Sequence, residues 1–226
     1  MFSPSPRWVR TTFGGETVAS SKRMMLLHEP GKLPVYYFPH EDVRMQMLTL
    51  GGQEGRWTVR SGGREAPNAA WTRDDGAYFA FDWAAMDHWF EEDDEVFKHA
   101  RDPFHRVDVL RGSRHVRVEL DGEVLADTER PSLLFETGLP TRYYIPRADV
   151  NMKCLTPSDT HTICPYKGTA SYWSLKLNGK TYEDYVWTYP APIPECPKIW
   201  QLLAFYNERV DTWVDGELQA RPKTNF

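Results

Sequence analysis

A chain of 226 residues with a formal net charge of −5, its basic residues scattered rather than clustered, argues against nucleic acid as the main partner. No apolar run approaches the roughly 18 residues that a membrane helix needs. The opening Met1-Phe2-Ser3-Pro4-Ser5-Pro6 lacks the apolar centre of a signal peptide, so the expectation is a cytoplasmic protein without a membrane partner.

In chain order, Val9–Phe13 and residues 17–19 read as a hairpin turned by Phe13-Gly14-Gly15-Glu16. A strand carrying Leu26-Leu27 follows, then a strand Tyr36-Tyr37-Phe38 ended by Pro39, then a strand around Trp57. Residues 77–90 read as a closing helix, and a charged stretch over residues 95–114 separates this half from what comes next. The same series then begins again. Residues 9–48 align without a gap on residues 116–155 at a constant offset of 107, pairing Gly15 with Gly122, Arg23 with Arg130, Glu29 with Glu136, Tyr36-Tyr37 with Tyr143-Tyr144 and Asp42 with Asp149. The offset widens to 116 at Trp57/Trp173 and Trp71/Trp187, and again where Phe81, Asp87 and Trp89 meet Phe205, Asp211 and Trp213. Asp121-Gly122 and Asn178-Gly179 are strong hairpin turns in the second copy. Ile199, Leu202, Leu203, Tyr206, Val210 and Trp213 stand at helical spacing, so residues 197–214 are predicted to form its closing helix. Pro190, Pro192, Pro194 and Pro197 make the lead-in extended.

The step in offset removes from the first copy the residues before its Trp strand, and with them the stretch Cys164-Pro165-Tyr166-Lys167-Gly168. Pro165 withholds a backbone donor and biases Cys164 toward an extended conformation, while Gly168 is free to adopt positive φ. The segment therefore reads as a tight loop from which Lys167 projects, mostly exposed, at the entrance of a strand whose apolar face carries Trp173, Leu175 and Leu177. One copy keeping this chemistry while the other keeps only core strands is the pattern of a site beside a scaffold. Drift in loop length is the plainer alternative.

An apolar pair before Glu136-Thr137-Gly138, then Tyr143-Tyr144-Ile145-Pro146-Arg147-Ala148-Asp149-Val150, Cys164-Pro165-Tyr166-Lys167-Gly168, Ala170-Ser171-Tyr172-Trp173 and Trp187-Thr188-Tyr189-Pro190 together resemble domain-of-unknown-function family 427. The likeness is specific over the second half and looser over the first. It implies a small β-tent structure, similar in shape to the ligand-binding domain of cereblon and to methionine sulfoxide reductase B. A nucleotidyltransferase label travels with the family, but this chain has neither a Gly-Ser followed by spaced aspartates nor a glycine-rich phosphate loop. Many β-tent proteins hold zinc in two C-x-x-C knuckles. Here the three cysteines, Cys154, Cys164 and Cys196, form no such pair, which points to reduced thiols and to no metal or other cofactor.

The candidate catalytic residues are Lys167, as an anion or carbonyl partner, Tyr166, as an acid or base, and Cys164, as a thiolate with His161 nearby. A buried cysteine acting as a small hydrophobe is the commoner case. Tyr144, Tyr172, Trp173 and Trp187 are candidates for an aromatic-walled ligand pocket, although strand alternation turns half of such residues into the core. Glu136 and Asp149 are candidate ligand contacts whose recurrence as Glu29 and Asp42 favours a structural hydrogen bond. The expected architecture is mainly β: two tandem β-tent-like domains, residues 1–98 and 110–226, each closed by one C-terminal helix and related by a pseudo-two-fold axis. The expected function is that of a small-molecule enzyme of isomerase, cyclase or hydrolytic type, with its largest cleft beside Tyr166, Lys167 and Trp187 in the second repeat. A non-catalytic small-molecule binding module and a structural or interaction protein are the alternatives.

Overall fold

A computed structural model describes residues 1–224. The chain divides into two compact units, residues 1–102 and 103–226, and both are built almost wholly of strands. The first unit contains β1 Phe2–Pro4, β2 Val9–Phe13, β3 Glu16–Ser21, β4 Met25–Leu27, β5 Val35–Pro39, β6 Leu48–Leu50, β7 Arg56–Ser61, β8 Arg64–Arg73, β9 Tyr78–Phe81, β10 His88–Glu91 and β11 Asp94–Glu95. The second contains β12 Val107–Arg111, β13 Val116–Leu120, β14 Glu123–Thr128, β15 Ser132–Glu136, β16 Arg142–Ile145, β17 Leu155–Cys164, β18 Gly168–Leu177, β19 Lys180–Pro192, β20 Leu203–Phe205, β21 Asp211–Val214 and β22 Glu217–Leu218.

Each unit is a pair of antiparallel sheets, one of seven strands and one of four. The orders are β1-β4-β5-β9-β8-β7-β6 with β11-β10-β2-β3, and β12-β15-β16-β20-β19-β18-β17 with β22-β21-β13-β14. Every strand of the first unit thus has its counterpart in the second, in the same place. The irregularities repeat as well. The register slips between Thr11 and Thr12 and, at offset 107, between Val118 and Glu119. It slips again between Trp57 and Val59 and between Trp173 and Leu175. A lone bridge joins Ala19 to Val43 in one unit and Ala126 to Val150 in the other. Bulges are specified features of a sheet, so their recurrence supports duplication of a complete folding unit.

The two closing helices predicted over residues 77–90 and 197–214 are not formed. In their places lie β9, a short 3-10 turn at Trp83–Ala85 and β10, and a 3-10 turn at Pro197–Ile199 followed by β20 and β21. The reason is a vacancy in the sheet. Strands β9 and β20 are central, each hydrogen-bonded on both sides (β5 and β8, β16 and β19), and a helix there would leave two rows of buried backbone groups unpaired. Leu203 and Phe205 face one core and Ala204 the other, a period of two that mimics helical spacing once the turn to Val210 is added. The tight loop expected at Cys164–Gly168 is the turn that joins β17 to β18, and most of the other inserted residues are strand. They extend the edge of the sheet, so that β17 has ten residues where β6 has three.

The main core of each unit lies between its two sheets. In the second unit Val116, Val118, Leu120, Leu125 and Val214 of the small sheet meet Ile145, Leu175, Leu177, Val186, Leu203 and Phe205 of the large one. Among the described residues no helix is long and apolar enough to cross a membrane.

Candidate functional site

The outer face of the second large sheet differs from that of the first. Because neighbours along a strand point to opposite faces, Ile145, Val186 and Leu203 enter the main core while Tyr144, Trp187 and Ala204 turn outward. There they join Val109, Leu134, Ala170, Tyr189, Cys196 and Ile199 in a second apolar cluster. The proline-rich arm supplies much of the cover. Ile193 N–H donates to the Lys167 carbonyl at 3.1 Å and Cys196 N–H to that of Ile193 at 2.9 Å. The Pro197–Ile199 turn then rests on β12 and β19.

The Trp187 indole N–H donates to the Tyr144 hydroxyl at 3.0 Å. Arg142, over the Trp187 ring at 5.5 Å, makes a two-pronged pair of 2.6 Å bonds to Glu208. Burial raises the phenols of Tyr144 and Tyr189 above the ordinary range, and burial likewise raises Tyr206. The Cys196 thiol is pushed up to about 11, chiefly by burial. These groups stay neutral at physiological pH.

At one edge of the cluster, charged groups converge. Lys167 N–H donates to the Cys164 carbonyl at 3.3 Å and closes the turn between β17 and β18. Gly168 then leaves it at φ +103°. This geometry carries the Lys167 ammonium to within 2.5 Å of Glu136 Oε2. The other oxygen, Oε1, is 3.0 Å from His105 Nε2. The Glu136 side chain is 6% exposed, Lys167 12% and His105 19%, so the triad is largely shielded from water. The Tyr166 ring stacks on the His105 imidazole with centroids 4.3 Å apart, and the Cys196 thiol donates to the Tyr166 carbonyl at 3.3 Å. The contact of Oε1 with Nε2 fixes the orientation of the His105 ring against Glu136.

Of the residues singled out in the sequence, Tyr166, Lys167 and Glu136 therefore meet, and Tyr144 and Trp187 meet beside them. Lys167 is not the exposed lysine expected, because the turn aims it inward at a carboxylate. Cys164 is half-buried at the end of β17, and His161, 3.2 Å from Ser171 Oγ, engages β18 rather than that thiol. Tyr172 lies against the outer cluster and bonds Thr162 Oγ1 at 2.9 Å. Trp173 sits on the opposite face of the sheet, against the main core, under the Arg147 guanidinium at 4.9 Å. Asp149 accepts from Arg130 at 2.8 Å and from Thr128 at 2.7 Å. Its first-copy counterpart Asp42 pairs with Arg23 at 3.2 Å in the same way.

Sequence reasoning missed His105 and Arg142. His105 stands in the segment between the repeats, where self-comparison is blind, and Arg142 replaces Val35 of the first copy. That apolar-to-charged change inside an aligned strand was the available signal. The first-copy counterpart of Glu136, Glu29, is exposed and pairs with Lys32 at 3.2 Å. A cavity of about 460 Å³ lies in the first unit, along β3 and residues 41–44. Among the described residues no three His, Cys, Asp or Glu side chains are grouped to hold a metal ion.

A family model described as a domain of unknown function (DUF427) matches the chain twice, over residues 1–92 and 108–216. No curated protein matches it.

Proposed function

The chain belongs to the DUF427 family, with two copies of its domain, and from that premise we propose that the second copy performs acid–base chemistry on a small substrate at His105, Glu136, Lys167 and Tyr166. The observation that carries this reading is Glu136 held between Lys167 at 2.5 Å and His105 at 3.0 Å, in one copy and not in the other. An imidazole oriented by a buried carboxylate is a general base. An adjacent ammonium stabilises the oxyanion that forms when a proton leaves a carbon next to a carbonyl, or when water adds to that carbonyl. An isomerase, cyclase or hydrolytic reaction uses such a set. The Tyr166 ring on His105 holds the imidazole plane, and the Tyr144–Trp187 pair gives the apolar wall behind it. The implied β-tent likeness to ligand-binding domains agrees with a small cyclic or aromatic ligand.

The second reading, binding without turnover, is favoured by one feature: both Glu136 oxygens are already engaged by the protein. A thermal-shift screen of small carbonyl compounds, followed by turnover assays of each hit, separates the two. A hit that raises the melting temperature, is converted by the wild type and is bound but not converted by His105→Gln supports the enzyme. A hit bound and never converted supports the binding module. Hits indifferent to both His105→Gln and Lys167→Met overturn the site altogether.

A further inference from the structure

In the second unit the outer-face pair Tyr144 and Trp187 is covered by the chain's own segment over residues 193–199, whose Cys196 and Ile199 join the pair in one buried cluster. That segment, Ile193-Pro194-Glu195-Cys196-Pro197-Lys198-Ile199, carries two prolines and one carboxylate. It is fastened at both ends. The Ile193 amide donates to the Lys167 carbonyl at 3.1 Å, and Lys198 Nζ donates to the Val109 carbonyl at 2.9 Å.

The first unit keeps the pair without its cover. Trp71 donates to the Tyr37 hydroxyl at 3.0 Å, but the chain passes from β8 to β9 through Asp74-Asp75-Gly76-Ala77 alone. The face left open is aromatic and cationic. Phe2 packs edge-on against Tyr37 and Tyr78, with centroids 5.5 and 5.4 Å away, and Phe2, Trp71 and Tyr78 stay half-buried. The Arg56 guanidinium lies 4.7 Å over the Trp71 ring, and among the described residues it has no carboxylate partner. Arg73 lies 4.7 Å over Phe2 and 3.6 Å from the exposed Asp74, a contact worth little in water. At offset 116 the counterparts of these two arginines are Tyr172 and Tyr189, both packed in or against the covered cluster. Where the segment was lost, two phenols became two cations.

We infer that the outer face of the first large sheet binds an extended, proline-containing segment of a partner protein, with a carboxylate of that segment received by Arg56. The second unit supplies the reason for this occupant, since there the chain itself lays such a segment over the same Tyr–Trp pair. Extended proline-rich segments dock on aromatic surfaces at small ordering cost, because proline already restricts the free chain. The surface belongs to the unit that lacks the His105–Glu136–Lys167 cluster, and the inference does not rest on that cluster's chemistry.

The probe is a synthetic peptide of residues 190–199 carrying Cys196→Ser and blocked at both ends, titrated into the full chain by calorimetry. Saturable one-to-one binding at submillimolar concentration is expected. It should weaken about ten-fold, a change of ~1.4 kcal/mol, in Arg56→Gln, whose half-exposed side chain leaves the fold intact, and also in Trp71→Leu. A peptide carrying Glu195→Gln should bind the wild type as weakly as the original peptide binds Arg56→Gln, and lose nothing more in that variant. A peptide with glycine at every proline should bind more weakly still. No saturable binding at millimolar concentration overturns the proposal. So does binding that Arg56→Gln or Trp71→Leu leaves intact, which would put the peptide elsewhere, or equal binding of the glycine peptide. Sedimentation showing a dimer of the full chain that Arg56→Gln dissociates would give the face to a second copy and overturn it as well.

Discussion

The Trp187 indole donates to the Tyr144 hydroxyl at 3.0 Å, and Trp71 donates to the Tyr37 hydroxyl at the same 3.0 Å. The bond is a relic of the unit that was duplicated, but its surroundings have diverged. In the first copy Trp71 is only half-buried and lies beneath the Arg56 guanidinium at 4.7 Å. In the second, Trp187 and Tyr144 are 7% and 1% exposed and roofed by the proline-rich arm. One hydrogen bond therefore carries different weight in the two places. Tyr144→Phe leaves a buried indole N–H without its acceptor and should cost about 1–3 kcal/mol. Tyr37→Phe should cost less, since water can reach Trp71. Chemical denaturation of the two variants compares them directly, and equal losses would contradict this account.

Lys167 is held by Glu136 in a shielded pair, so its removal is structural as well as functional. Lys167→Met should destabilise the second unit by about 3 kcal/mol, because it strands a buried carboxylate. Lys167→Met combined with Glu136→Gln should recover much of that loss, as the uncompensated charge is gone. A double-mutant cycle on the melting of the second unit measures the coupling. Additive losses would show that the two groups do not interact.

Arg142 and Glu208 predict an acid dependence. Burial by itself raises the Glu208 carboxyl, but hydrogen bonds from Arg142 and Thr224 outweigh it and hold the group below its ordinary value. A carboxylate with a lowered folded pKa contributes stability that is present above its unfolded value, about 4.3, and is lost as pH falls through the folded value. The second unit should therefore lose melting temperature as pH drops from about 5 to about 3, and Glu208→Gln should flatten that slope. Asp149, lowered first by its hydrogen bond from Arg130, contributes in the same direction and would leave a residual slope in the variant. A Glu208→Gln slope as steep as the wild type would refute the pairing.

Gly168 leaves the turn at φ +103°, and a Cβ there would stand 3.1 Å from the Ala191 carbonyl oxygen. Gly168→Ala should cost about 1–3 kcal/mol from backbone strain and should loosen the arm that the Lys167 carbonyl anchors. Hydrogen exchange at the Ile193 amide, which donates to that carbonyl, reports the loosening. Unchanged protection there would separate the turn from the arm.

Much of this molecule was decided locally and could be read from the residues. Alternation with a period of two assigned the strand faces, putting Leu175 and Leu177 into the main core. Asp121-Gly122 and Asn178-Gly179 take the positive φ angles that their hairpin turns demand. The offset of 107 showed that one set of rules was written twice. What failed was the reading that needed to know a neighbour. The apolar spacing over residues 197–214 is compatible with a helix until β16 and β19 are seen to leave a slot that only a strand can fill. Likewise nothing in the sequence says that Glu136 meets both His105 and Lys167, each 31 residues away in opposite directions. That meeting depends on β15 pairing with β12 while the β17–β18 turn folds back over the same face. Side-chain periodicity is a property of a single strand, whereas the order of strands in a sheet is set by the sum of all their ladders. The candidate site, made of residues from the inter-repeat segment, a strand end and a turn, was therefore created by the tertiary structure alone.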